Sequence, residues 1–177
     1  MSKTEKTIAV PRLSAKEICV AGVMAAFVFT ATLVPQIPIP LGYAHLGDGA
    51  LFLAVFFCGR RVGIFAGAFG SALADLAGGF PVWILPTLII KAVMAEIFYR
   101  TALAGNGAPK FSSARVLGGM VLACLFMTAG YTLSGAVLYD SLPLGLSSAP
   151  GLLVKSAVNI AAAYLAGGAL ERVKVAR

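Results

Sequence analysis

Charged side chains are scarce in this sequence: they make up 12% of its 177 residues, while 59% of the residues are hydrophobic. A soluble domain averages about 25% charged and roughly 45–50% apolar residues. The chain therefore lacks the polar surface that a protein solvated on all sides requires. Its mean hydropathy of +0.92 predicts a membrane protein, and its length suits a single domain, residues 1–177.

Motifs for catalysis and nucleotide binding are absent as well. The sequence has no GxxxxGKS/T loop, no HExxH and no GxSxG. Its single histidine and its three cysteines do not show the spacing of a metal site. We therefore expect no enzyme, no metal centre and no cofactor bound by this chain. The first residues also lack an apolar core followed by a cleavage site, so we predict no cleaved signal peptide.

The net charge of +7 raises the possibility of nucleic-acid binding. A nucleic-acid surface gathers its basic residues on one face, among polar or aromatic contacts. Here the basic residues form short clusters between long apolar runs, which is the pattern of membrane topology. The sequence therefore favours a lipid environment over a nucleic-acid partner.

Six apolar runs predict six transmembrane helices. The second run has about 13 residues and could be re-entrant on length alone. The segment between the first two runs is rich in proline and glycine, which excludes a regular helix there. The predicted helices cover residues 18–34, 46–58, 62–80, 82–99, 116–139 and 152–170.

The placement of basic residues tests this division of the chain, because cytoplasmic loops carry an excess of Lys and Arg. Twelve of the fourteen basic residues lie on one side if both termini are cytoplasmic, and the other two, Lys91 and Lys155, lie within helices. The pattern predicts an all-α bundle of six transmembrane helices, a cytoplasmic segment 1–16 and an extracellular loop 35–47. The twelve are Lys3, Lys6, Arg12, Lys16, Arg60, Arg61, Arg100, Lys110, Arg115, Arg172, Lys174 and Arg177.

Polar residues within the predicted helices lie at similar depths. Ionisable groups in a bilayer are costly and usually face a functional cavity. At about 1.5 Å per residue, several polar side chains come to the outer half of the bundle, beneath loop 35–47. We predict a ligand pocket formed by Asp75, Lys91, Tyr131, Lys155 and Asn159.

Structural roles remain open for some of these residues. Lys91 and Asp75 could neutralise one another as an ion pair, and Lys155 could extend its ammonium group toward the outer surface. Glu96 lies one turn before Arg100, which predicts a local ion pair.

Loop 35–47 contributes Tyr43 and His45 as candidate ligand contacts. A lone loop histidine is more often a hydrogen-bonding or surface residue, so both roles stay open for His45. Asp48 follows Gly47 where the second helix begins, and we predict that it caps that helix. Tyr43 and Trp83 lie near the outer interface, where aromatic residues are enriched.

Small residues recur at three- and four-residue spacing in the third helix and in the first. Such stripes allow the backbones of neighbouring helices to approach closely. We expect ordinary packing within the chain for the stripe of the third helix. This stripe comprises Gly63, Gly67, Ser71, Ala74 and Gly78, and the first helix pairs Ala21 with Ala25.

Several stretches resemble the S components of energy-coupling factor (ECF) transporters. The resemblance lies in LGD followed by an apolar run, in the turn GRRVG, and in SALADL and TLIIK. It covers residues 15 to 100 well and the remainder by helix count. The most similar branch includes the riboflavin, hydroxymethylpyrimidine and pyridoxine S components.

The resemblance implies a membrane subunit that captures a vitamin or vitamin precursor from outside the cell. Such subunits dock on a transmembrane coupling subunit driven by two ATPase subunits, so that the partners use the ATP. It also implies that loop 35–47 is a gate, that Ala21 and Ala25 form a docking motif, and that the location is a bacterial plasma membrane. A self-sufficient transporter and a ligand-free membrane scaffold remain alternatives.

Overall fold

Long helices and one short β-hairpin make up the fold of this protein. The computed structural model describes residues 14–105 and 109–175, so most of segment 1–16 lies outside the described residues. The helices are α1 (Ala15–Leu33), α2 (Gly47–Cys58), α3 (Arg60–Ala77), α4 (Ile84–Phe98), α5 (Ala114–Leu138), α6 (Leu142–Ser147) and α7 (Ala149–Val175). The strands are β1 (Ile37–Ile39) and β2 (Gly42–Ala44); a 3-10 turn, Pro81–Trp83, precedes α4, and a π-helical turn, Tyr99–Leu103, follows it.

The predicted all-α class is confirmed, and each of the six predicted helices corresponds to an observed one. The helix α1 begins three residues earlier than predicted because Ser14 and Glu17 form a capping box. The predicted loop after α5 contains the short helix α6, in which Ser141 accepts a hydrogen bond from the Leu144 amide. Both differences follow from caps that the apolar pattern does not report.

The hairpin occupies the proline-rich loop between α1 and α2. Its strands are antiparallel, with Ile37 opposite Ala44 and Ile39 opposite Gly42. Leu41 in the turn has a φ of 62°, which few residues other than glycine adopt. The exclusion of a helix from this loop is therefore confirmed, and the hairpin closes one end of the bundle.

The small-residue stripe of α3 packs within the chain, as predicted. A Cβ atom on Gly63 would lie 2.4 Å from a methyl group of Val55 in α2. Next to the stripe, a Cβ atom on Gly70 would lie 2.6 Å from the Ala25 carbonyl oxygen in α1. Glycine at these positions lets α3 lie directly on the backbones of both neighbours.

The largest apolar cluster lies between α2, α4, α5 and α7. Its fully buried members include Phe52, Met94, Phe98, Met120 and Met127. The rings of Phe52 and Phe98 are 4.8 Å apart, and the methionines fill the space around them. This cluster fixes the relative positions of the four helices that surround the candidate site.

Large apolar side chains also cover the outside of the bundle. Val137 is 81% exposed, Leu165 75% and Val23 68%, which is the reverse of a water-soluble surface. Among the described residues, four helical segments are long and apolar enough to cross a membrane, namely Ala15–Leu33, Pro81–Leu103, Ala114–Leu138 and Leu142–Val173. The helix α2 is apolar but has only 12 residues. The chain is thus a multi-pass membrane protein.

Replacing Gly70 with alanine tests the close packing of α1 on α3. The added methyl group would meet backbone atoms of α1, so we expect a loss of about 1–3 kcal/mol in the free energy of unfolding. Gly118→Ala in α5 is the matched control, because no atom lies within 4 Å of the position that its added methyl group would take. Unfolding of the detergent-solubilised protein measures both, and equal stability of the two variants would contradict this packing.

Candidate ligand site

A cavity of about 50 Å³ lies beneath the hairpin. Hairpin residues 39–43 form its roof, and His45 closes one side. Its remaining walls include Asp75 from α3, Thr87 from α4, Tyr131 from α5 and Lys155 from α7. The hairpin and four helices thus bring polar side chains to one cavity.

A chain of hydrogen bonds crosses the wall of this cavity. The Tyr43 hydroxyl donates to Asp75 Oδ1 at 2.8 Å, and the Thr87 hydroxyl donates to Asp75 Oδ2 at 2.5 Å. The Tyr131 hydroxyl lies 3.0 Å from Thr87 Oγ1. Because Thr87 gives its proton to Asp75, we assign Tyr131 as the donor to Thr87. These hydrogen bonds connect the hairpin to α3, α4 and α5.

Behind the cavity, Asp48 lies between two lysines. Lys91 in α4 forms an ion pair with Asp48 Oδ1, and Lys155 Nζ in α7 lies 3.0 Å from Asp48 Oδ2. All three side chains are buried. Asp48 is in the first turn of α2, where the helix dipole favours a negative charge. One carboxylate therefore faces two ammonium groups, and the trio has an excess positive charge.

Asn159 braces the entrance to α2 from the facing helix α7. Its Nδ2 group donates to the His45 carbonyl oxygen at 2.6 Å and to the Lys155 carbonyl oxygen at 2.9 Å. Its Oδ1 atom accepts from the Gly49 amide at 2.8 Å. These bonds use both donor hydrogens and an acceptor oxygen of the amide, which fixes the backbone on both sides of Asp48.

His45 separates the hairpin from the buried ion pairs. Its Nδ1 atom accepts a hydrogen bond from the Gly47 amide at 3.0 Å, so we place the ring proton on Nε2. Nε2 lies 3.4 Å from Lys155 Nζ. Burial and then the charge of Lys155 hold the pKa of His45 well below its ordinary value, against the opposing effect of Asp48. The imidazole is therefore neutral near pH 7.

Aromatic rings also line the cavity. The rings of Trp83 and Tyr131 are 5.7 Å apart, and those of Tyr43 and Phe80 are 5.2 Å apart. The Tyr131 ring centre lies 5.4 Å from Lys91 Nζ, within cation–π range. Trp83 Nε1 is buried and has no hydrogen-bond partner among the described residues. The site thus combines flat aromatic faces with a buried N–H group that has no partner in the described part of the chain.

The sequence matches the family described as "ECF-type riboflavin transporter, S component" over residues 12–172. The chain belongs to this family. An uncharacterized protein in the gap 3' region of Pyrococcus woesei is 36% identical over 110 residues, which are 61% of this chain and 74% of that relative. The resemblance to ECF S components is thereby confirmed, and the family is one of transporter components.

In this S component one predicted role, that of Asp48, is wrong, and so are the two alternative roles that were open for Lys91 and Lys155. Asp48 does not cap α2, whose N-cap is Leu46 without a side-chain cap bond; its carboxylate binds two lysines instead. Lys91 pairs with this carboxylate and not with Asp75. Lys155 does not reach toward the surface, because its ammonium group is buried against Asp48. The first turn of α2 lies inside the bundle, where a buried charge needs an opposite charge.

The S component places its predicted site residues in two layers. Tyr43, His45, Asp75, Tyr131 and Lys155 line the cavity. Lys91 and Asn159 lie behind them, where their polar groups bind other parts of the chain. Direct contact of any of these side chains with a ligand stays a prediction.

Nine of the residues that line the cavity were not predicted from the sequence as site residues, and Trp83 and Thr87 are two of them. The sequence indicates Trp83 only as an interfacial aromatic, although it is 5% exposed and lines the cavity. Thr87 precedes Lys91 by one helical turn and therefore shares its face of α4. That spacing is the signal from which Thr87 could have been found.

Outside the cavity, the predicted pair of Glu96 and Arg100 is confirmed at 2.5 Å, and Arg60 also binds Glu96 at 2.6 Å. In α1, Ala21 and Ala25 are half-buried, and Ala25 faces α3. Their docking role stays a prediction. Among residues 14–105 and 109–175, no three His, Cys, Asp or Glu side chains form a group that could hold a metal ion.

Replacing Asp48 with asparagine tests the charge balance of the buried trio. The change would leave two buried ammonium groups without a carboxylate, and we expect the free energy of unfolding to fall by about 3–5 kcal/mol. Lys155→Met is the matched control, because it leaves Asp48 and Lys91 as a neutral pair and should cost less. Chemical unfolding in detergent measures both variants. A larger loss for Lys155→Met would overturn this account.

Proposed function

We propose that this protein is the substrate-binding subunit of an ECF vitamin importer and that the cavity beneath the hairpin is its binding site. Membership of the S-component family supports the importer role. The observation that carries the site is the convergence of Asp75, Tyr131 and Lys155 with the hairpin around one cavity. Pockets of this kind, with aromatic walls and a few convergent polar groups, are typical of small-molecule sites.

The walls favour a flat heteroaromatic ligand with a polar edge. Trp83 and Tyr131 offer ring faces for stacking. Asp75 accepts hydrogen bonds, whereas the indole N–H of Trp83 donates one; Lys155 is already bound to Asp48. An edge that alternates N–H donors with carbonyl acceptors matches this set, and the isoalloxazine ring of riboflavin has such an edge. We therefore propose riboflavin, the vitamin for which the family is named, as the first candidate.

Binding requires a movement of the hairpin. The cavity of about 50 Å³ would hold a few water molecules and is too small for a vitamin. Two contacts keep the hairpin closed in this structure: Tyr43 donates to Asp75, and Asn159 donates to the His45 carbonyl oxygen. In the proposed cycle these bonds break, the ligand enters beneath the raised hairpin, and closure buries it.

Energy for uptake would come from partner subunits. The sequence has no nucleotide-binding motif, and the family is that of an ECF component. We propose that a transmembrane coupling subunit and two ATPase subunits drive release, with the first helix, at Ala21 and Ala25, as the docking face. Uptake by the chain alone in proteoliposomes would favour a self-sufficient transporter instead.

Six membrane crossings with both termini inside complete the proposed topology. The distribution of basic residues supports it, and cysteine labelling of intact cells tests it. In a cysteine-free background, Ser147→Cys in α6 should react with an impermeant maleimide in intact cells. Ser112→Cys, in the segment before α5, should react only after lysis; neither serine is buried. The opposite pattern, or labelling of both cysteines in intact cells, would contradict the topology.

Fluorescence of the single tryptophan tests ligand binding directly. Because Trp83 lines the cavity, we expect saturable quenching when riboflavin is added to the purified protein in detergent. Hydroxymethylpyrimidine and pyridoxine, added as competitors, distinguish the branches of the family. If no vitamin quenches Trp83 or raises the melting temperature, the proposed binding role is wrong.

The variant Tyr43→Phe tests the role of the hairpin in riboflavin binding. It keeps the ring but removes the hydrogen bond that holds the hairpin to Asp75, so affinity should fall roughly tenfold or more. Tyr139→Phe is the matched control, because Tyr139 is 44% exposed and does not line the cavity. Equal affinities of the two variants would remove the assigned role of the Tyr43 hydroxyl.

A further inference from the structure

A second cavity lies on the other side of the hairpin. Its volume is about 550 Å³, and it runs between β1 and the first turns of α7. Ile37 and Ile39 form one wall, and Val154 and Val158 form the other. We call this space the hairpin groove. Its walls are apolar, and its volume far exceeds that of the ligand cavity.

The hairpin groove is continuous with the lipid-facing surface of the bundle. Ile37 is 60% exposed, Val154 67% and Val158 53%, and the exposed apolar side chains of α7 continue beyond them. The stretch of α7 along the groove, residues 150–158, is about 12 Å long at 1.5 Å per residue. One leaflet of a bilayer has a hydrocarbon depth of about 15 Å. The groove therefore has the length and the polarity of a site for hydrocarbon within one leaflet.

In the described part of the chain, the hairpin groove has no charged group that is free to bind a ligand. Lys155 and His45 are the ionisable side chains that line the groove among the described residues. Lys155 is committed to Asp48 at 3.0 Å, and His45 accepts from the Gly47 amide at 3.0 Å. The groove therefore offers no available cation for a phosphate headgroup, and its recognition of an occupant rests on apolar contact.

We propose that the hairpin groove binds one acyl chain of a bilayer lipid, which packs against the outward side of the hairpin. An acyl chain meets the apolar walls on its whole length and enters directly from the leaflet that surrounds α7. Water would gain few hydrogen bonds in such a space, because nearly all of the wall is hydrocarbon. The predicted selectivity is for hydrocarbon chains irrespective of headgroup.

The acyl chain would also act on the ligand cavity, and this part rests on the proposed function. Ile39, His45 and Lys155 line both spaces, so they form the partition between them. Ile39 packs on α7 closely enough that a Cβ atom on Gly151 would lie 3.1 Å from its own Cβ. An acyl chain in the groove would contact the hairpin on the side opposite to the ligand cavity and would stabilise its closed position. Lipid and vitamin should therefore strengthen one another's binding, as linkage requires.

Native mass spectrometry of the delipidated protein tests the acyl-chain site without any vitamin. The probes are palmitoyl-oleoyl phosphatidylcholine and palmitoyl-oleoyl phosphatidylglycerol, titrated separately. We expect one lipid to bind wild-type protein more tightly than the rest, with similar affinity for the two headgroups. Val154→Trp fills the groove and should weaken this binding at least fivefold.

Leu165→Trp is the matched control. Leu165 lies 11 residues after Val154, which places it on the same face of α7, but it does not line the groove. Val158→Phe serves as a second filling variant if Val154→Trp does not fold. Equal lipid binding by the filling variants and Leu165→Trp would overturn the proposal, as would a strong preference for the anionic lipid. The wild-type protein could instead prove to be a dimer in the same spectra. If Val154→Trp abolished that dimer and left lipid binding unchanged, the proposal would be overturned and the groove would be assigned to a second copy of the chain.

Riboflavin quenching of Trp83 in wild-type protein, with and without added phosphatidylcholine, tests the coupling. We expect tighter vitamin binding with lipid and a smaller lipid effect in Val158→Phe. Lipid binding that survives without any vitamin binding would leave the acyl-chain site intact and remove only the proposed substrate role. Vitamin binding that lipid does not change would remove the coupling.

Discussion

The burial of Asp48 between Lys91 and Lys155 is the constraint on which the arrangement of this bundle depends. A carboxylate in the first turn of α2 is compatible with a membrane interior only while cations face it, and these come from α4 and α7. The ion pairs therefore fix the register of three helices at one depth. Apolar packing alone would tolerate sliding along the helix axes, whereas buried charges would not.

The polar cavity is built outward from this centre. Lys155 belongs to both the ion pairs and the cavity wall, and the Tyr131 ring lies within cation–π range of both ammonium groups, at 5.4 and 5.6 Å. Beyond them, Asp75 accepts hydrogen bonds from the hydroxyl groups of Tyr43 and Thr87. The electrostatic field of the buried trio thus reaches the site where a ligand would present its acceptor atoms. The proposed substrate-binding function and the stability of the bundle would therefore depend on the same side chains.

Much of this arrangement could be predicted from the sequence. Depth along a helix follows directly from residue counting, so the sequence predicted that Asp75, Tyr131 and Lys155 would lie at one level, and they do line one cavity. The partner of each charge could not be predicted in this way. Lys91 and Asp48 are 43 residues apart, and their pairing depends on the rotation of α2 and α4, which the packing of the whole bundle determines. Local rules assigned Asp48 to a cap because they consider only its own helix.

The amide of Asn159 has a kinetic consequence. Its three hydrogen bonds hold the His45 carbonyl group, the Gly49 amide and its own helix at once. A small displacement of the hairpin would strain all of these contacts together, because one planar group makes them. Opening should therefore be an all-or-none transition between the closed state and an open one, with few intermediate positions. Access to the interior would then be governed by how often the closed state opens and not by how far it opens.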